Sequence, residues 1–164
     1  MAVSRISPCL WFDTQAEEAA RHYCSIFDDT RIIRISHYGD AGREIHGKPP
    51  GSVLTVEFEL EGLPFTALNG GPRFRFNEAV SLQVTCDTQQ QIDRYWNALT
   101  AGGDVGAQQC GWLKDRYGLS WQVVPNRIAD LLDRSDPRRA DRVMTALMAM
   151  KKLDIAVLQR AAQG

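Results

Sequence analysis

The chain has 164 residues, 44% hydrophobic and 24% charged, with 19 basic against 20 acidic side chains and a formal net charge of −1. This length suits one compact domain or two small modules sharing a core, and a charge this near neutral excludes a polyanion-binding surface, so nucleic acid is not an expected partner. No apolar run approaches the ~20 residues of a membrane span, and MAVSRISPCLWF lacks the long apolar core of a signal peptide, so no membrane is expected as a partner and the expected location is the cytoplasm.

In chain order, ISPCLWF reads as a first strand over 6–12. Asp13-Thr14 then sits where a helix cap belongs, and 16–27 places Ala19, Ala20, Tyr23, Ile26 and Phe27 on one helical face. A strand over 31–38 leads into a polar loop rich in Gly and Pro, 37–51. Strict alternation over 52–61, a Glu61-Gly62 turn and 63–69 predict a hairpin. Asn69-Gly70-Gly71-Pro72 starts a linker in which Arg73-Phe74-Arg75-Phe76 reads as a linker strand.

The second half runs as a strand over 79–86, a helix over 88–101 built on Ile92, Tyr95, Trp96 and Leu99, and strands over 105–110, 111–116 and 119–124. Lys114-Asp115-Arg116-Tyr117-Gly118 reads as a hairpin turn with exposed charge. In the tail, Ser135-Asp136-Pro137 is a helix start. Val143, Met144, Leu147, Met148 and Met150 then form an apolar stripe, and Asp154 opens or continues a last turn with Ile155, Val157 and Leu158. The four cysteines, Cys9, Cys24, Cys86 and Cys110, contain no C-x-x-C pair and are expected to be free buried thiols, one of which can line a cavity.

The two halves repeat. ISPCLWFDTQ (6–15) matches VSLQVTCDTQ (80–89) at an offset of 74, and GLPFTALN (62–69) matches GLSWQVVP (118–125) at an offset of 56. The second copy has therefore lost 18 residues between its helix and its last strand, and the excess in the first maps to 37–51. A two-copy repeat of this length indicates a pseudo-symmetric fold rather than a solenoid.

With these motifs in hand, PCLWFD (8–13), FTALNGGPRFRFNEAVSLQVTC (65–86), IDRYWNALTAGG (92–103), CGWLKDRYGLSWQVVP (110–125) and DPRRADRVMTALMAMKKLDI (136–155) resemble the PhnB-like branch of the vicinal oxygen chelate superfamily. That superfamily includes the glyoxalase, bleomycin-resistance and extradiol dioxygenase families, and the branch is often labelled a demethylubiquinone methyltransferase domain. The resemblance implies an α+β fold: two tandem β-α-β-β-β modules forming a cupped eight-stranded mixed sheet with helices outside, plus a C-terminal helical tail. The expected organisation is one domain over 1–125, with modules at 6–71 and 78–125, followed by a helical extension over 126–164. It also implies a homodimer.

In the superfamily's metal enzymes a divalent ion sits in the cup, held by His, Glu or Gln from the first and last strand of each module. Strand alternation puts Ser7, Cys9, Trp11, Ser81 and Gln83 on the concave side, with Thr66, Leu68, Ser120 and Gln122 from the closing strands. The four ligand slots then read Ser7, Thr66, Ser81 and Gln122, and a slip of one residue gives Ile6 and Val80 instead. Neither register supplies a histidine or a carboxylate, so no metal and no cofactor are expected. What remains is a cavity of aromatic and small polar groups, Trp112 included, suited to a small organic ligand.

Two other readings follow from the resemblance. One is an enzyme, either a metal-dependent glyoxalase-type lyase or isomerase completed by His37 or His46 from the loop or by a residue of a partner subunit, or the methyltransferase of the label. The chain has no Gly-rich loop between a strand and a helix to bind S-adenosylmethionine in the usual way. The other is a binding protein that sequesters an antibiotic.

Overall fold

A computed structural model describes residues 6–164, and the chain divides into two compact units, one ending at Arg75 and the other running Phe76–Gly164. The first unit is built from β1 (Cys9–Phe12), α1 (Ala16–Ile26), β2 (Thr30–His37), α2 (Arg43–His46), β3 (Val53–Leu60) and β4 (Leu63–Asn69). Its four-stranded sheet has the order β1-β4-β3-β2, with β1 parallel to β4 and the other pairs antiparallel. The strong alternation of β3 buries Val56, Phe58 and Leu60 against α1, whose Ala19, Ala20, Tyr23 and Ile26 are all buried. Each fully buried aromatic here contributes on the order of 2–3 kcal/mol, and Tyr23, Phe58 and Phe65 form a stacked column with centroid separations of 6.4 and 5.3 Å.

The β3–β4 turn is Glu61 (φ 49°) and Gly62 (φ 77°), both left-handed, as a two-residue hairpin demands. The expected first strand, 6–12, is shortened to start at Cys9, and residues 1–5 of the expected domain lie outside the described residues. The loop over 37–51 holds the short helix α2, which no periodicity marks. Arg73–Phe76 forms no strand; Phe74 instead sets its ring against Trp11 at 4.9 Å and 75°.

The second unit comprises β5 (Ser81–Cys86), α3 (Gln89–Thr100), β6 (Trp112–Lys114), β7 (Ser120–Pro125), α4 (Ile128–Leu131), α5 (Pro137–Met148) and α6 (Ile155–Gln163). Its sheet is three-stranded, β5-β7-β6, with β5 parallel to β7. The described residues thus form seven strands in sheets of four and three, one fewer than expected. The missing strand is 105–110. Asp104 caps a short 3-10 turn at Val105–Ala107 by accepting the Gly106 N–H at 2.8 Å, which spends the backbone groups a strand would pair. Gln109 makes an isolated β-bridge to Trp112 across Cys110 (φ 53°) and Gly111 (φ 85°). That two-residue turn matches Glu61-Gly62 in geometry, and a Cβ at Gly111 would lie 2.9 Å from the Val123 carbonyl.

The tail packs on this unit. Val124 joins Val143, Leu147, Leu153 and Leu158 in a buried cluster. The Cys110 and Gly111 amides donate to the Met150 and Lys151 carbonyls, both at 2.8 Å. Asp136 caps α5, with Pro137 in its first turn, and Asp154 caps α6. Of the expected stripe, Val143 and Leu147 are buried, whereas Met144 and Met148 are 44% and 56% exposed. The buried face of α5 runs Ala140, Val143, Leu147, one position round from both methionines. All four cysteines are free, but only Cys86 is buried; Cys9 is exposed and Cys24 and Cys110 are intermediate, contrary to the expectation of four buried thiols.

Candidate functional site

In the first unit, β1 and β4 place Cys9 opposite Thr66 and Trp11 opposite Leu68. Leu10, Phe12, Phe65 and Ala67 take the other face and are buried, so Cys9, Trp11, Thr66 and Leu68 lie on the face turned from α1. The register extends both rows across the sheet: Thr66 faces Glu57 and then Arg34, and Leu68 faces Thr55 and then Ser36. Arg34 and Glu57 form an ion pair, and the Ser36 and Thr55 hydroxyls are hydrogen-bonded to each other. Glu57 is the site-facing carboxylate that reading only the first and last strands of a module passes over. The alternation of Thr55, Glu57 and Glu59 was its signal, and its position beside Thr66 is a matter of register.

Trp11 is closed over by its own chain. Its Nε1 donates to the Gly71 carbonyl at 2.8 Å, Phe74 meets its edge, and a Cβ at Gly70 would come within 2.1 Å of its ring. Only glycine admits that approach. Burial of its sulfur raises the Cys9 thiol above its ordinary value although the residue as a whole is exposed, so it is a neutral thiol at physiological pH. Ser7 precedes β1 and is exposed.

Of the two histidines expected in the loop, His46 is engaged within it. The His46 ring lies 4.5 Å from that of Tyr38, its Nδ1 accepts the Lys48 N–H at 3.0 Å, and its Nε2 is 3.3 Å from the Ala41 carbonyl oxygen. His37 ends β2 and is exposed.

In the second unit the corresponding face carries Ser81, Gln83, Trp112, Ser120 and Gln122. One row reads Gln83, Gln122, Trp112 and the next Ser81, Ser120, Lys114. Cys9 opposite Thr66 and Gln83 opposite Gln122 are the same pair displaced by the two repeat offsets, so the internal repeat holds in strand register as well as in sequence. The Gln122 Nε2 donates to the Ser81 hydroxyl at 2.9 Å, which leaves the amide oxygen available as an acceptor. Lys114 is ion-paired with Glu78. Ser120 is 1% exposed, and its hydroxyl has no hydrogen-bond partner among the described residues. Val124, two residues on from Gln122 and so on the same side of β7, is covered by the tail cluster. The turn beyond β6 also differs from its expected exposed charge: Asp115 is 3% exposed, and its carboxylate accepts the Trp121 indole N–H at 2.8 Å and the Tyr117 and Leu119 amides at 2.8 and 3.0 Å.

The donor set does not fit a transition metal. Ser7, Thr66, Ser81 and Gln122 supply three hydroxyls and an amide, Glu57 is paired with Arg34, and among the described residues no three His, Cys, Asp or Glu side chains come together.

Two sheets with their helices, bearing this repeated register, make the chain an α+β protein. The model of the 3-demethylubiquinone-9 3-methyltransferase family matches residues 4–124, and the chain belongs to that PhnB-like family. Among solved structures, it is similar to the PhnB protein of Bacillus cereus, which carries a 3-demethylubiquinone-9 3-methyltransferase label. The two are 32% identical, with 74% of this chain and 99% of that one covered, at a TM-score of 0.65. Protein PA1353 from Pseudomonas aeruginosa is 20% identical over 75% of this chain and 98% of its own, with a TM-score of 0.58. The fosfomycin resistance protein FosX from Listeria monocytogenes, complexed with Mn(II) and sulfate, shares the fold at 14% identity over 82% of this chain and 99% of its own, with a TM-score of 0.53. No curated protein matches the chain. No helix among the described residues is long and apolar enough to cross a membrane.

Proposed function

We propose that residues 1–125 act as one vicinal-oxygen-chelate domain that binds a small, neutral, partly aromatic molecule on the sheet faces, without the superfamily's usual metal. The supporting observation is the row Gln83, Gln122, Trp112: an aromatic side chain beside an amide that Ser81 holds with its oxygen free, next to the unpartnered Ser120 hydroxyl. A planar ring bearing a hydrogen-bond donor meets both groups, the indole by stacking and the amide oxygen by accepting. Pairing as a homodimer belongs to the same proposal, and light scattering giving the mass of two chains supports it.

The test is calorimetric titration of a panel of phenols and anilines into the full chain, with Gln122→Ala and Trp112→Ala beside it. Each substitution is expected to weaken binding about tenfold. Binding unchanged in both variants would sink the sheet-face site. One tightly held Mn, Fe, Ni or Zn per chain, by elemental analysis of protein purified without chelator, would overturn the metal-free part. The family label favours a methyltransferase as the second reading, and saturable binding of S-adenosylmethionine is the observation that would establish it.

A further inference from the structure

The extension builds a cavity of its own. Where β5 and β7 end, α4, α5 and α6 line a half-open pocket of about 390 Å3, within the ~300–1,000 Å3 of small-molecule sites. It lies in the second unit and draws most of its wall from residues beyond 124, where the family match stops, so it is independent of the sheet-face reading.

Its charges are unevenly matched. Four ionisable side chains that carry charge at neutral pH line it: Arg127, Arg139, Asp87 and Asp130. Asp130 is taken by Arg127, whose Nε donates to it at 3.0 Å, and Asp87 accepts the Asn126 amide at 2.8 Å. Arg139 is half-buried, and its guanidinium donates only through Nη2, to the neutral Asp130 carbonyl at 3.0 Å. Asp133 lies near enough to feel its charge, but hydrogen bonds from Ser135 are what chiefly hold that carboxyl below its usual value. Arg139 therefore presents most of a planar five-donor fork to the cavity with no carboxylate paired to it.

The rest of the wall is two polar side chains, Asn126 and Gln159, and an apolar part. The apolar part is Leu131, Ile155, Pro125 and Cys86, the last two buried. Burial, with a smaller contribution from Asp87, pushes the Cys86 thiol up to about 11, so it is uncharged at neutral pH. Two aspartates at the wall disfavour a dianion, since one free guanidinium would have to offset both its charges.

We propose that this cavity binds a small monocarboxylic acid, its carboxylate on the Arg139 fork and its apolar body against Leu131, Ile155, Pro125 and Cys86. A carboxylate matches the fork in plane and spacing, and a bidentate pair in a half-dry site exceeds a single neutral hydrogen bond about twofold in strength.

Benzoate and hexanoate, their matched amides and inorganic phosphate are titrated into the full chain by calorimetry. The acids are expected to saturate, and the amides to bind at least about tenfold more weakly. Arg139→Gln should bring the acids down to the level of the amides, and Arg139→Lys, which keeps the charge without the fork, should fall between. Ile155→Trp fills the cavity while leaving Arg139 in place and should abolish binding, which decides the question if Arg139→Gln fails to fold. The proposal is overturned if neither acid saturates by about 10 mM, if the amides bind as tightly, if phosphate binds more tightly than both acids, or if the acids bind the Ile155→Trp protein unchanged.

Discussion

Asp115 shows how one side chain sets a local structure that composition misjudges. In KDRYG it looks like one more surface charge in a turn. Its carboxylate instead satisfies three N–H groups, those of Tyr117, Leu119 and the Trp121 indole, and so ties the turn to the first core residue of β7. Buried charge is tolerated only when hydrogen-bonded this fully. Asp115→Ala leaves three donors without an acceptor and should cost about 3 kcal/mol, read as a lower urea midpoint with unchanged slope. Asp115→Asn keeps one oxygen for the two amides but can turn an NH2 toward the indole N–H. Combining it with Trp121→Phe removes that clash, so the double mutant should be more stable than the two single losses sum to. Strict additivity in that cycle would show that the carboxylate and the indole do not act together.

At the scale of elements, period and register differ in how far a sequence exposes them. The helical faces of α1 and α3 were legible because apolar residues recur every three to four positions, and all their expected members except Phe27, which follows α1, lie within the helices and are buried. The inward and outward residues of β3, β4 and β7 were legible for the same reason at period two. The two helix starts look alike in sequence, Asp-Thr-Gln in each, but fold differently. Thr88 forms a capping box with Gln91, whereas α1 has no side-chain cap from its own flank. The Ala16 amide instead takes the Asn69 Oδ1 at 2.8 Å, while the Asn69 Nδ2 donates to the Val53 carbonyl at 3.0 Å. A cap supplied from 53 residues away cannot be read from local pattern, and neither can Glu57 beside Thr66, because both depend on which residues the pairing of strands brings together. Asn69→Ala should cost about 2 kcal/mol and speed hydrogen exchange first in the opening turn of α1. Asn69→Asp keeps the acceptor for Ala16 and loses the donor to Val53, so it should preserve the α1 protection and loosen β3 alone. Equal loss in both variants would mean that Asn69 is not the cap.

At the scale of the molecule, the repeat predicts two similar sheets, and the departures between them have one cause. In the second copy, 18 residues shorter, the stretch that would supply a counterpart of β2 closes into the 3-10 turn and the Cys110-Gly111 turn. Left-handed Cys110 carries backbone strain on the order of 1 kcal/mol. The tail offsets this by accepting both turn amides at Met150 and Lys151, and it covers Val124, which the first copy's pattern would leave facing outward. The tail thus completes the second sheet instead of hanging from it, a role invisible in a sequence whose only tail signals are two helix caps and an apolar stripe. Leu153 is the keystone of that contact at 0% exposure, and Gln89 from the start of α3 donates to its carbonyl at 3.1 Å. Leu153→Ala should cost about 3 kcal/mol through the cavity it leaves. If tail and sheet are one cooperative body, the amides of Val123 in β7, Cys110 and Gly111 in the turn and Leu158 in α6 should lose exchange protection by the same factor. Loss confined to Leu158 and its neighbours would show that the tail opens on its own and that the second sheet stands without it.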